Sequence, residues 1–140
     1  MADQFTVRAY AKGVTMAPRK VSLVASLVRG RTVADALVIL QHTPKRAAKP
    51  VAKAIASAQA NATNNHRLDG KTLVLSALSV TAGPRMKRFR AGARGTAKPY
   101  QKRTTHILVE VSGVSKPARK AAAAPAEVKP AKVAAKKEEK

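Results

Sequence analysis

The stretch GPRMKRFRAGARGTAKPYQKR, Gly83 to Arg103, carries eight lysines and arginines, no acid and almost nothing large and apolar. Just before it, KTLVLSALSVTA alternates through Leu73, Leu75 and Ala77, then slips phase to Leu78, Val80 and Ala82, the pattern of a strand with a bulge or with two covered faces. Just after it, TTHILVEVS keeps Thr105, Ile107, Val109 and Val111 on one face. Connections in compact domains mostly run about four to six residues, and unstructured ones beyond about 12–15 are functional or disordered. A link of 21 residues therefore calls for a structure of its own. If each half continues its flanking strand, about ten residues per arm at roughly 3.3 Å each give a ribbon projecting about 30 Å. An isolated two-stranded ribbon is marginal in water, so something outside the chain is expected to order it. Arg85, Lys87, Arg88, Arg90, Arg94, Lys98, Lys102 and Arg103 point to phosphates as that partner.

The residues between these cations narrow the reading. Ala91, Gly92, Ala93, Gly95 and Ala97 make a thin tip, suited to a crowded channel and to close approach of backbone to a ligand. Arginine at 88, 90 and 94 offers a planar fork that grips phosphate or stacks on a base, which suits irregular folded RNA. The bland alternative is a flexible solvated loop.

Working outward, FTVRAYAK places Phe5, Val7, Ala9 and Ala11 on one side and Thr6, Arg8, Tyr10 and Lys12 on the other, a half-buried strand ended by Gly13. APRKVSLVASLVRG sets Val21, Val24 and Val28 on one helical stripe with Leu27 beside it, Pro18 at the first position and Gly30 as a left-handed stop. Thr32 with Asp35 three residues on caps a second helix, VADALVIL, with Val33, Ala36, Leu37 and Leu40 at helical spacing. Thr43 and Pro44 open a third, longest helix lined by Ala47, Val51, Ala54, Ile55, Ala58 and Ala62. Inside it Pro50 is an anomaly, since it removes a hydrogen bond and clashes with the carbonyl four residues back, so the helix kinks there or begins nearer Lys49. NATNNHRLDG reads as a helix end and turn, with Asn and Gly able to take positive φ. The order predicts an α+β domain: a three-stranded antiparallel sheet covered on one face by three helices, with the hairpin over about 83–103 protruding from it.

A chain of 140 residues has room for one domain and a tail. The tail, SKPARKAAAAPAEVKPAKVAAKKEEK over 115–140, has no large apolar residue beyond two valines and is expected to be disordered. It holds eight basic and three acidic residues, leaving residues 1–114 with twenty and four. The formal charge of +21 thus resides mainly in the folded part, where it repels itself unless a polyanion neutralises it. Cysteine is absent, which excludes disulfides and thiolate metal sites. No apolar run approaches the roughly 20 residues that span a bilayer and the start lacks a signal-peptide pattern, so a non-secreted protein with no membrane partner is expected.

Three blocks in order and spacing, APRKVSLVASLVRGRTVADALVIL, ANATNNHRLDGKTLVL and GPRMKRFRAGARGTAKPYQKRTTHILVEVS, resemble the bacterial large-subunit ribosomal proteins numbered twenty-two, over about residues 5–113. The resemblance implies an α+β body on the outer surface of the large subunit in the cytoplasm, early binding to 23S ribosomal RNA during assembly, and neighbouring ribosomal proteins as partners. It further implies a β-hairpin threading inward to line the nascent-peptide exit tunnel. Its tip, Met86, Lys87, Arg88, Phe89, Arg90, Ala91, Gly92, Ala93 and Arg94, would face the nascent polypeptide, close to where macrolide antibiotics bind. Three local departures stand out: Ala17 where the family often has a serine before the proline, and Gly92 and Thr96 where it commonly has arginines. The family does not require the tail.

Other chemistry finds little support. His42, His66 and His106 lie far apart without Cys or paired Glu at ligand spacing, and His106 is expected on the polar face of its strand. The acids Asp3, Asp35, Asp69 and Glu110 form no acid/base pair, and GARG is too short for a phosphate-cradling loop, which argues against an enzyme or a cofactor. Arg29 and Arg31 suit either a helix C-terminus or an RNA patch. Arg19 and Lys20, at the wrong end of the helix for its dipole, are read as RNA-binding. Lys45, Arg46, Lys49 and Lys53 are read as a solvated face of the third helix. The rival reading is an architectural DNA-binding protein with a basic β-ribbon arm, Met86 or Phe89 serving as a wedge.

Overall fold

Three strands and three helices follow one another in the order β1 (Gln4–Val14), α1 (Pro18–Val28), α2 (Val33–His42), α3 (Ala48–His66), β2 (Val74–Ala91) and β3 (Ala97–Val114). The structure, a computed structural model, describes residues 4–114. The expected disordered tail over 115–140 lies outside the described residues. The sheet is antiparallel with β3 in the centre, order β1-β3-β2, so the α+β class is as the sequence predicts.

The central strand explains why Thr105, Ile107, Val109 and Val111 alternate so cleanly: paired on both edges and covered by helices, all four are fully buried. α3 packs on β1 and β3, while α1 packs on β2 and β3. Both helices present small residues inward, Val21, Val24, Ala25 and Val28 from α1 and Val51, Ala54, Ile55, Ala58 and Ala62 from α3, so the helical layer sits close to the sheet. Thr105, a polar group in this core, donates its hydroxyl to the Met16 carbonyl, which satisfies it. Gly113 sits where a Cβ would come 2.6 Å from Leu73 Cδ2, so the sheet end closes over Leu73 only without a side chain there.

Several local expectations hold. The phase slip in β2 is a bulge: Leu75 pairs with Val111 and Ala77 with Glu110, leaving Ser76 unpaired in the ladder, with its hydroxyl donating to the Glu110 carbonyl at 3.1 Å. Thr32 Oγ1 accepts from the Asp35 N–H at 3.2 Å and donates to Asp35 Oδ2 at 2.7 Å, capping α2. α1 starts at Pro18 and Gly30 has φ 72°. Ala17, in the cap position, offers α1 no side-chain cap.

Three expectations are corrected, and of the two alternatives at Pro50 the later helix start holds. β1 does not end at Gly13: the strand continues to Val14 through a bulge, where φ 71° suits glycine and the Gly13 N–H donates to His106 Nδ1 at 3.0 Å. Thr43 does not open α3 but closes α2, its hydroxyl donating to the Ile39 carbonyl at 2.7 Å. α3 begins at Ala48, so Pro50 stands in the first turn, where backbone N–H groups have no partner four residues back and its missing donor costs nothing. At the other end of α3 the left-handed position falls on Arg67, φ 53°, rather than on Asn or Gly, and the Leu68 N–H closes the helix on the Ala62 carbonyl at 3.0 Å.

Candidate nucleic-acid interface

Where the sheet leaves the helical layer, the ladder shifts register between Ala82 and Arg85. Thr104 Oγ1 donates to the Pro84 carbonyl at 2.7 Å, and a Cβ on Gly83 would stand 2.6 Å from that hydroxyl. This packed waist hands the body sheet over to a two-stranded ribbon, as bulges do where a strand pair is re-aimed.

Beyond the waist the pairs run Arg85–Arg103, Met86–Lys102, Lys87–Gln101, Arg88–Tyr100, Phe89–Pro99, Arg90–Lys98 and Ala91–Ala97. Because side chains alternate along a strand, one face carries Arg85, Lys87, Phe89 and Arg103, and the other Met86, Arg88, Arg90, Lys98, Tyr100 and Lys102. Cations therefore surround the ribbon instead of lining one side. No residue from Arg85 to Arg103 is buried; Phe89 is 73% and Tyr100 50% exposed. Arg85 faces Arg103 and Arg90 faces Lys98 directly, which destabilises an isolated pair of strands. Among the described residues no hairpin cation has a carboxylate within ion-pair distance; the Arg8–Glu110 pair, 2.7 Å apart, lies in the body.

The tip closes by backbone. The Gly92 N–H donates to the Thr96 carbonyl at 2.7 Å, and both the N–H and the hydroxyl of Thr96 donate to the Ala93 carbonyl, at 3.2 and 2.7 Å. Arg94 and Gly95 are left-handed, φ 55° and 73°, and hold the Arg94 side chain at the apex. A Cβ at Gly92 would meet the Thr96 carbonyl at 2.9 Å and its hydroxyl at 3.1 Å. The two departures at 92 and 96 thus form one unit: the threonine folds back over the space that its glycine neighbour leaves free.

On the body, Arg19 and Lys20 are exposed in the first turn of α1. Lys20 lines a groove of about 700 Å³ with Lys45, Arg46, Gln101 and Arg103 and with the apolar side chains of Leu23 and Leu27. The structure thus joins Lys20 to the hairpin base and adds Lys45 and Arg46, which lie in the segment between α2 and α3 and not on a helix face. Their only sequence signal is adjacency to a proline-opened turn, which does not disclose what they approach. Arg29 and Arg31 are taken up structurally: Arg29 Nε donates to the Leu78 carbonyl at 3.1 Å, tying α1 to β2, and Arg31 Nε donates to the Leu27 carbonyl at 3.1 Å in the last turn of α1. His106 is on the open sheet face as expected, stacked on Tyr10 with ring centroids 5.9 Å apart. His42 and His66 close α2 and α3.

A compact α+β body bearing a bare cationic ribbon is suited to binding a polyanion. The family model described as Ribosomal protein L22p/L17e matches residues 9–112, three quarters of the sequence and nearly all of its described part, and the chain belongs to that family. It is accordingly a structural, non-enzymatic protein of the large ribosomal subunit that binds ribosomal RNA. Membership leaves the architectural DNA-binding reading without support. No helix among the described residues is long and apolar enough to cross a membrane.

Proposed function

We propose that this chain is the bacterial member of the family: it binds 23S ribosomal RNA, assists subunit assembly in the cytoplasm and lines the nascent-peptide exit tunnel with its β-hairpin. The RNA-binding unit is residues 1–114. Arg85, Lys87, Arg88, Arg90, Arg94, Lys98, Lys102 and Arg103, together with Arg19 and Lys20, displace counterions and lock RNA helices together. The arm from Met86 to the apex at Arg94 forms part of the tunnel wall beside the nascent polypeptide. The observation that carries this reading is the ribbon's register, which puts cations on both faces and opposes like charges at Arg85–Arg103 and Arg90–Lys98. Such a ribbon is at ease only when RNA encloses it, and a slender tip with small side chains suits a wall through which a peptide must pass.

The test is cross-linking in intact cells followed by sequencing of the RNA attached to residues 83–103. Cross-links confined to large-subunit ribosomal RNA around the tunnel are expected. Attachment to scattered chromosomal DNA or unrelated transcripts would overturn the tunnel placement.

A further inference from the structure

On α1, Leu23 is 72% and Leu27 50% exposed, one turn apart on the same face, although Val21, Val24 and Val28 already supply the buried stripe. These two leucines serve no core. They line the groove between α1, the segment before α3 and the base of the hairpin, which also carries Lys20, Lys45, Arg46 and Arg103 and no acid. Its volume, about 700 Å³, lies within the range of roughly 300–1,000 Å³ that takes a small-molecule-sized group. Apolar side chains beside four cations and no acid fit a flat, weakly polar ring whose neighbours on either side are anionic. Arg103 is at once a lining residue and the first cation of the ribbon, so the groove is continuous with the hairpin interface.

We propose that this groove seats one unpaired, extruded base of the ribosomal RNA, with its ring on Leu23 and Leu27 and its flanking phosphates on Lys20, Lys45, Arg46 and Arg103. The inference rests on the RNA-binding reading above and gives it a second anchor on the body. A helix packed side-on brings phosphates but no apolar surface, so it would leave the leucines facing water; a splayed base covers them and is the form in which single-stranded RNA is read. Holding one nucleotide at the hairpin's root also sets the direction in which the ribbon leaves the body.

The test uses the full chain and transcribed large-subunit ribosomal RNA. Leu23→Gln with Leu27→Gln should weaken binding by about ten-fold while the slope of log affinity against log salt stays unchanged, since the lost contact involves no counterion. Lys45→Gln with Arg46→Gln should make that slope shallower by roughly 1.4 to 1.8, for two phosphates released. Both double variants should keep the wild-type melting curve, because all four side chains are exposed. A photo-cross-linking residue in place of Leu23 should mark one unpaired nucleotide. Wild-type affinity in the leucine variant, or cross-links to a paired helix or to a neighbouring protein, would overturn the proposal. If the wild-type chain itself shows no preference for this RNA over unrelated duplex, it is the RNA-binding reading that fails.

Discussion

β3 is a single strand of 18 residues that belongs to two different physical regimes. From Ala97 to Arg103 every residue is exposed; from Thr104 onward buried positions recur up to Gly113. Both halves pair antiparallel with β2, so the backbone ladder is the same in each. What differs is the covering layer. The inner half has α1 and α3 on one face and a second strand, β1, on its other edge, while the outer half has neither. A ladder of backbone hydrogen bonds contributes little net stability when water competes for each bond, whereas burying Ile107, Val109 and Val111 contributes about 1.5–3 kcal/mol per side chain. The burial that stabilises β3 is therefore concentrated in its inner half, and the ribbon has little besides its own ladder.

The sharpest way to break this comparison is to neutralise the ribbon. Replacing its eight lysines and arginines with glutamine should remove the steep salt dependence of RNA binding, a slope of roughly −6 to −7 for about eight phosphates, and lower affinity by several orders of magnitude. The melting temperature of the free protein should stay within a few degrees of wild type. A large fall in Tm would mean that the ribbon is part of the core.

The opposite operation is made on the body. Ile55 is fully buried in α3 against the sheet, and Ile55→Ala should cost about 2–5 kcal/mol in denaturant unfolding. Well below its own melting transition the same variant should bind RNA with an unchanged salt slope. A changed slope would show that body packing and ribbon charge are coupled.

The smallest effect is a gain. Ala17 already has the extended backbone of a helix cap, φ −72° and ψ 137°, but no side chain to serve as one. Ala17→Ser should stabilise the body by about 0.5–1 kcal/mol, seen as a modest rise in Tm, with RNA affinity unaltered.

Much of this architecture was legible because its causes are local. Alternation in TTHILVEVS, the phase slip read after Ala77, whose bulge falls one residue earlier at Ser76, and the Thr32–Asp35 cap each involve residues within a few positions of one another. The misread points turn on which of several available partners a residue meets, near or far. Thr43 and Thr32 are the same residue type, yet one closes a helix and the other opens one, because Thr43 finds the Ile39 carbonyl within reach. Gly13 looks like a strand end until His106, 93 residues away, receives its N–H. Arg67 takes the left-handed position because the return of Leu68 to Ala62 fixes where α3 must turn, at a residue whose side chain gains nothing from it. For the candidate site, the ribbon cations were evident from composition, whereas Lys45 and Arg46 were not, since only packing brings them beside Lys20 and Arg103.

By itself the sequence determined that the chain makes an α+β body, that a cationic segment of 21 residues interrupts its last two strands, and that a polyanion is its partner. These follow from periodicity and net charge, which are sums over neighbouring residues. Tertiary structure alone decided the order β1-β3-β2, the distribution of cations over both ribbon faces and the groove at its root. Those depend on which strand becomes central and on register, where a shift of one residue would turn every side chain to the opposite face.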